Sequence, residues 1–176
     1  VLQKTDKFNE DELIKELGGL PIVVKPDQEG SSIGVTVVRD KKDLAGALKD
    51  AFSFGPQVLV DQFIEGRELT VGILANEALP VIEIRPKEGF FDFTAKYQKG
   101  LTDYIVPAVL DEETAKQVQQ VALKAYQAVG CCDFSRVDVM LNKNNAPFVL
   151  EINTIPGFTS TSLLPKAAKC CGYEFS

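Results

Sequence analysis

Apolar positions along the 176-residue chain switch between two periods. Where they recur every third or fourth residue they mark one stripe of a helix; where they alternate or run together briefly they mark strands. Helical spacing predicts a short helix in "NEDELIKELGG" (9–19), with Asn9 as N-cap and Gly18-Gly19 as stop. A second is predicted over "DKKDLAGALKDAFSFGP" (40–56), capped by Asp40, with Leu44, Leu48, Ala51 and Phe52 on one face and Gly55-Pro56 at its end. The clearest is "DEETAKQVQQVALKAYQAVG" (111–130). Asp111 caps it, Glu112 and Glu113 complement the dipole, Gly130 stops it, and Ala115, Val118, Ala122, Ala125 and Val129 form its buried stripe. A last helix is predicted over 163–169.

Strand signals fill most of the remainder. "PIVVKP" (21–26) and "VTVV" (35–38) flank the small-residue loop "DQEGSSIG" (27–34) as a hairpin. "QVLVDQFI" (57–64) is a further strand, and "EGRELTVGILANEALPVIEI" (65–84) reads as two strands turning at Ala75-Asn76-Glu77. "FSRVDVML" (134–141) and "PFVLEIN" (147–153) form a hairpin across Asn142 to Ala146. From Arg85 to Val106 the pattern dissolves into a long loop, a length that is usually functional or disordered. Hairpins mixed with helices imply an α+β fold with mainly antiparallel sheets rather than a doubly wound parallel one.

Composition narrows the function. The chain is 45% hydrophobic and 25% charged, as in ordinary globular domains. Its net charge of -6, with no Lys/Arg cluster, argues against nucleic acid or an anionic membrane as partner. No apolar run approaches about 18 residues, and no signal peptide is evident. The first residue is Val1, which leaves open a fragment with further sequence upstream. The paired cysteines Cys131-Cys132 and Cys170-Cys171 lack zinc-site spacing and read as reduced structural thiols of a cytoplasmic protein. Histidine is absent, which removes His-based triads, general bases and metal sites together.

Three stretches carry candidate chemistry. In the 134–153 hairpin, strand alternation puts Arg136, Asp138 and Met140 on one face. It puts Val149, Glu151 and Asn153 on another, with Phe148, Leu150 and Ile152 opposite. If the polar faces coincide, Asp138, Glu151 and Asn153 offer oxygen ligands to a hard cation such as magnesium, with Arg136 beside them; the alternative is a solvated sheet face. The "EGSSIG" loop lacks P-loop and dinucleotide fingerprints. It is either a tight turn or a phosphate cradle of backbone N–H groups, with Ser31, Ser32 and nearby Lys25 contributing. "DQFIEGRE" (61–68) is either a charged loop or a segment whose backbone reads an adenine edge and whose carboxylate holds a ribose.

Together with "LPVIEI", "FFDFTAKYQKGLTDYIVPA" and "LEINTIPGFTSTSLLPKAA", these stretches resemble the D-alanine–D-alanine ligases of the ATP-grasp class, in order and spacing from about Pro21 to Tyr173. The resemblance implies two α+β lobes, residues 1–62 belonging to the central lobe and 63–176 forming the C-terminal lobe, with the family's N-terminal domain missing. It implies that Lys25, Ser31 and Ser32 contact nucleotide phosphate. Gln62 and Ile64 would offer backbone groups to adenine, Asp61 would also bind the nucleotide, Glu68 would hold the ribose, and Phe90, Met140 and Leu150 would line the adenine slot. Lys96 and Tyr97 would act from a mobile lid over residues 87–105. Arg136 would stabilise the transferring phosphoryl group; its alternative is a structural counter-ion. Asp138, Glu151 and Asn153 would bind two Mg2+ ions, Mn2+ substituting, with Glu151 bridging, and Gly157, Ser162 and Leu163 would hold the second substrate. ATP and D-alanine are the implied ligands, peptidoglycan precursor synthesis in the cytoplasm the implied role, and a homodimer the implied state of the full-length enzyme. Asp61 stands where the family usually has Glu, and Gln62 where Lys is common. No histidine is available for a D-lactate-type lid.

Overall fold

The structure is a computed structural model describing residues 1–87 and 102–174. It divides into two compact units, Val1–Phe63 and Ile64–Lys87 continued from Thr102 onward.

In the first unit, strands β1 (Leu2–Gln3), β2 (Ile22–Pro26), β3 (Thr36–Val38) and β4 (Gln57–Gln62) form an antiparallel sheet in the order β1-β4-β2-β3. Alternation along β2 buries Ile22, Val24 and Pro26 and turns Val23 and Lys25 to the other face. Helix α1 (Glu10–Glu16) starts where Asn9 accepts hydrogen bonds from the Asp11 and Glu12 N–H groups. Helix α2 (Leu44–Ala51) buries Leu44, Ala47, Leu48 and Ala51 against Ile22, Val24, Val38, Val58 and Val60. It is shorter than its periodicity suggests. Asp40 caps a 3-10 turn over Lys41–Asp43 by accepting from the Lys42 N–H, and the α-helix ends at Ala51 with Phe52 only half-buried.

In the second unit, β5 (Gly66–Leu74), β6 (Glu77–Ala78), β7 (Ile82–Pro86), β8 (Thr102–Ile105), β9 (Phe134–Asn142) and β10 (Pro147–Asn153) form an antiparallel sheet in the order β10-β9-β5-β7-β8, with β6 on β5. The β5–β6 turn at Ala75-Asn76 has φ of 51° and 65°, the handedness that tight hairpins require. Helix α3 (Glu112–Ala128) covers one face, packing on Leu69, Val71, Ile73, Val137, Val139 and Leu141. Asp111 caps it by accepting from the Thr114 N–H. Its buried stripe is Thr114, Val118, Ala122 and Tyr126, not one reaching Val129, which is 59% exposed. The Tyr126 ring takes the sheet-facing position because its hydroxyl donates to Asn76 Oδ1 at 2.9 Å. Helix α4 (Leu163–Cys170) packs Leu164 and Ala167 with Leu79 and Ile82. A Cβ at Gly72 would lie 2.7 Å from Leu164 Cδ1, so glycine on β5 admits α4 to the sheet.

Three further differences from the sequence pattern concern two strands and the cysteines. The strand after the Ala75 turn is broken at Leu79–Val81, where Pro80 has no N–H to donate, and resumes as β7. Thr102–Ile105, assigned above to a lid, is instead an edge strand with Tyr104 opposite Ile84; residues 88–101 of that segment lie outside the described residues. All four cysteines are unbonded; Cys131 is half-buried and the others are exposed rather than packed. Among the described residues no helix is long and apolar enough to cross a membrane.

Candidate active site

The face of the second sheet opposite α3 carries Arg136, Asp138, Glu151 and Asn153. Cross-strand partners share a face, and the register sets Asp138 between Thr70 on β5 and Glu151 on β10, and Arg136 between Gly72 and Asn153. Met140 lies between Glu68 and Phe148, while Ile84 on β7 and Tyr104 on β8 extend the row beyond Glu68. The β9–β10 register shifts between Val149 and Glu151, a bulge that gives Leu150 no opposite number. Phe148 therefore faces the same way as Met140, and Val149 pairs with Val139 on the α3 side, the reverse of strict alternation. The bulge also releases Leu150 from alternation with Glu151; its side is not fixed by register, and it is 39% exposed.

Asp138 is the centre of the cluster. It is 5% exposed and holds the Arg136 guanidinium through a two-point contact, Nε to Oδ1 and Nη2 to Oδ2, each 3.0 Å. The Thr70 hydroxyl donates to Oδ1 at 2.6 Å, and Asn153 Nδ2 to Oδ2 at 3.1 Å. The same amide nitrogen lies 3.4 Å from Glu151 Oε1. Burial works against the charge on Arg136, but the Asp138 hydrogen bonds and the nearby charges of Asp138, Glu151 and Tyr104 outweigh it and raise its pKa. Tyr104 is also pushed up, by burial first; Arg136 opposes the shift and Glu68 adds to it. Lys166 Nζ sits 4.6 Å over the Tyr104 ring centroid.

This donor set fits a hard divalent cation. Two carboxylates and an amide converge, and the Asn153 N–H group occupies the position between the carboxylates where positive charge is favoured; turning the amide would present its oxygen instead. Among the described residues no group of three or more His, Cys, Asp or Glu is placed to hold a metal ion, so the amide is integral to the set.

After β10 the chain turns through Gly157 to the start of α4. A Cβ at Gly157 would lie 3.0 Å from Ser162 Oγ. That hydroxyl accepts from the Thr159 N–H at 3.1 Å and shares a 2.8 Å hydrogen bond with the Thr159 hydroxyl. Leu163 opens α4, where first-turn N–H groups have no acceptor within the helix.

In the first unit Lys25 Nζ pairs with Asp61 Oδ2 at 2.7 Å. Ser31 and Ser32 hold φ of 56° and 60°, closed by the Ile33 N–H donating to Gly30 O at 3.1 Å. Two successive left-handed serines cost about 1–2 kcal/mol each, the kind of strain that gathers at ligand loops. Gln62 ends β4 opposite Ile22, and Ile64 opens the second unit. Phe90, Lys96 and Tyr97 lie outside the described residues. Sequence reasoning missed Thr70 and Tyr104. Thr70 was recoverable: it stands two residues after Glu68, on the same strand face.

Two α+β units built on antiparallel sheets, one carrying this carboxylate–amide–arginine cluster, are the architecture of the ATP-grasp class, which the solved structures below share. The model of the D-ala D-ala ligase C-terminus matches residues 1–176, and the chain belongs to that family. It is 50% identical over 156 residues to the D-alanine–D-alanine ligase of Methylacidiphilum infernorum (isolate V4), covering 89% of this chain and 52% of that protein. Two crystal structures of D-alanine–D-alanine ligase from Bacillus anthracis align over 97% of this chain. The first has a TM-score of 0.83 and 40% identity and is covered over 55% of its length. The second, complexed with ATP, has a TM-score of 0.81 and 36% identity and is covered over 53%. The VanG D-Ala:D-Ser ligase of Enterococcus faecalis aligns over 97% of this chain and 51% of its own, with TM-score 0.81 and 36% identity. The chain spans about half the length of the curated relatives it matches.

Proposed function

We propose that the complete protein joins two D-alanines at the expense of ATP, through an acyl phosphate, to supply a peptidoglycan precursor. The observation that supports this most is the cluster of Arg136, Asp138, Glu151 and Asn153 on one sheet face. The first carboxylate attacks the γ-phosphate and displaces ADP; the amine of the second D-alanine attacks the acyl phosphate carbonyl and loses a proton, and phosphate leaves. Such chemistry rests on positioning and charge neutralisation rather than a protein nucleophile, which suits a chain without histidine.

Lys25 and the Ser31-Ser32 turn contact nucleotide phosphates. The backbone of Gln62 and Ile64 recognises adenine, Asp61 also binds the nucleotide, Glu68 takes the ribose, and Phe90, Met140 and Leu150 hold the base. Asp138, Glu151 and Asn153 hold two Mg2+ ions, Mn2+ substituting, which neutralise phosphate charge when bound. Arg136, already aligned by Asp138, neutralises the phosphoryl group in flight and the oxyanion that follows. Gly157, the Ser162 hydroxyl and the Leu163 N–H receive the second substrate's carboxylate, and Lys96 and Tyr97 close over the reaction. The complete protein works in the cytoplasm as a homodimer.

The likeness to the E. faecalis D-Ala:D-Ser ligase supports a second reading, D-serine in the second position; a nucleotide-binding piece without turnover is the third. Phosphate release by the complete protein, with D-alanine alone and with equal D-alanine and D-serine, separates them. The expected result is D-alanine-dependent release with D-alanyl-D-alanine as main product. D-alanyl-D-serine as main product supports the second reading, and nucleotide binding without D-alanine-dependent release supports the third.

A further inference from the structure

We propose that Thr70 is a positioning residue that decides which oxygen of Asp138 takes the metal ion, an inference that rests on the metal-site reading above. Thr70 is fully buried in the central strand β5, directly opposite Asp138. Its hydroxyl has one proton and two acceptors in reach, Asp138 Oδ1 at 2.6 Å and the Val137 carbonyl at 3.3 Å. The shorter contact to the charged oxygen takes the proton.

Each carboxylate oxygen offers two in-plane lone pairs. On Oδ1 both are engaged, by Thr70 and by Arg136 Nε. On Oδ2 one is held by Arg136 Nη2 and the other by the Asn153 amide nitrogen. Of these four donors only Asn153 is itself a candidate ligand, and an amide turn withdraws its N–H and presents its oxygen. Oδ2, on the side of Asn153 and Glu151, is therefore the oxygen that opens to a cation. Thr70 keeps Oδ1 closed and the carboxylate plane fixed. A β-branched side chain packed inside a sheet has little χ1 freedom, so the hydroxyl is held where it acts. Nothing in this role requires Thr70 to touch substrate.

Outer partners of ligating carboxylates are worth about 10–100-fold in metal affinity. Thr70→Ser and Thr70→Ala both remove the γ-methyl and differ only in the hydroxyl, so their comparison separates hydrogen bonding from packing. Mn2+ is titrated into the complete protein with ADP, against an ADP blank, following the free-ion EPR signal; Asp138→Asn serves as control, and melting temperatures are recorded. The expected result is Thr70→Ser within about twofold of wild type and Thr70→Ala weaker by about tenfold or more. Equal Mn2+ affinity in the two variants, with only the melting temperature lowered in Thr70→Ala, overturns the role of Thr70 and leaves the metal site standing. Mn2+ binding absent from wild type, or unchanged in Asp138→Asn, overturns the metal site itself and the inference with it.

Discussion

Two roles for Arg136, counter-ion to Asp138 and the proposed catalytic one, predict different mutants. Its fork is locked on Asp138, as a counter-ion would be, yet it stands beside Glu151 and Asn153 on the face proposed to receive phosphate. Substitution distinguishes them. Lysine keeps the charge and loses the planar fork. A direct role in neutralising the transition state predicts that Arg136→Lys lowers kcat in the complete protein by at least about a hundredfold, with melting temperature little changed. A mere counter-ion gives modest kinetic loss, and a lowered melting temperature in Arg136→Ala, where Asp138 is left buried without its cation. At this scale the polar cluster was legible because period-two spacing puts Arg136 with Asp138, and Glu151 with Asn153. The face of Thr70 was legible from its spacing to Glu68, but its partner was not: a threonine inside a strand reads as an ordinary β-former, and only the register sets it opposite Asp138.

Elements add what residue spacing cannot supply. The bulge at Leu150 turns Phe148 to the Met140 face while keeping Glu151 opposite Asp138; a pattern of alternation contains no sign of an inserted residue. The strand Thr102–Ile105 was hidden for a related reason, since four residues carry too little period to stand out and their pairing with β7 is a tertiary choice. Helix caps at Asn9 and Asp111 were legible because they are local chemistry. On the α3 side of β5 and β7, Glu83 is buried between two arginines. Arg67 reaches it through Nε at 3.1 Å and Nη2 at 2.7 Å, and Arg85 Nη2 lies 3.0 Å from both oxygens. Burial alone would raise the Glu83 pKa, but the hydrogen bonds and charges of both arginines hold it below the ordinary range. A carboxylate with a depressed folded-state pKa contributes stability above its unfolded pKa and loses it as pH falls through the folded value. Glu83→Gln is therefore expected to destabilise by about 1–2 kcal/mol at neutral pH, with the gap closing as the medium is acidified below the ordinary carboxylate range of about 4. Urea unfolding at neutral and acid pH measures this; a gap that stays constant means the charge contributes nothing.

For the whole molecule, the α+β class and the antiparallel sheets followed from hairpins interleaved with helices, whereas strand order did not, because β5 lies between β9 and β7 through contacts distant in sequence. A linkage measurement tests the proposed metal and nucleotide residues together. A ligand that binds only the folded state stabilises by about 2.7 kcal/mol at a hundred times its dissociation constant. If Asp138, Glu151 and Asn153 hold metal beneath nucleotide phosphate, ADP with Mg2+ should raise the melting temperature of the complete protein by more than the separate increments of ADP and Mg2+ added together. The excess is the coupling between the two ligands, and it must be reciprocal. Asp138→Asn should abolish the excess while leaving the ADP-only increment, because the carboxamide loses the charge that binds the cation but leaves the proposed adenine and ribose contacts at Gln62, Ile64 and Glu68 intact. Glu68→Ala should do the opposite, shrinking the ADP-only increment. Simple additivity of ADP and Mg2+ in the wild type, or an excess that survives in Asp138→Asn, would place the metal elsewhere and remove this cluster from the nucleotide site.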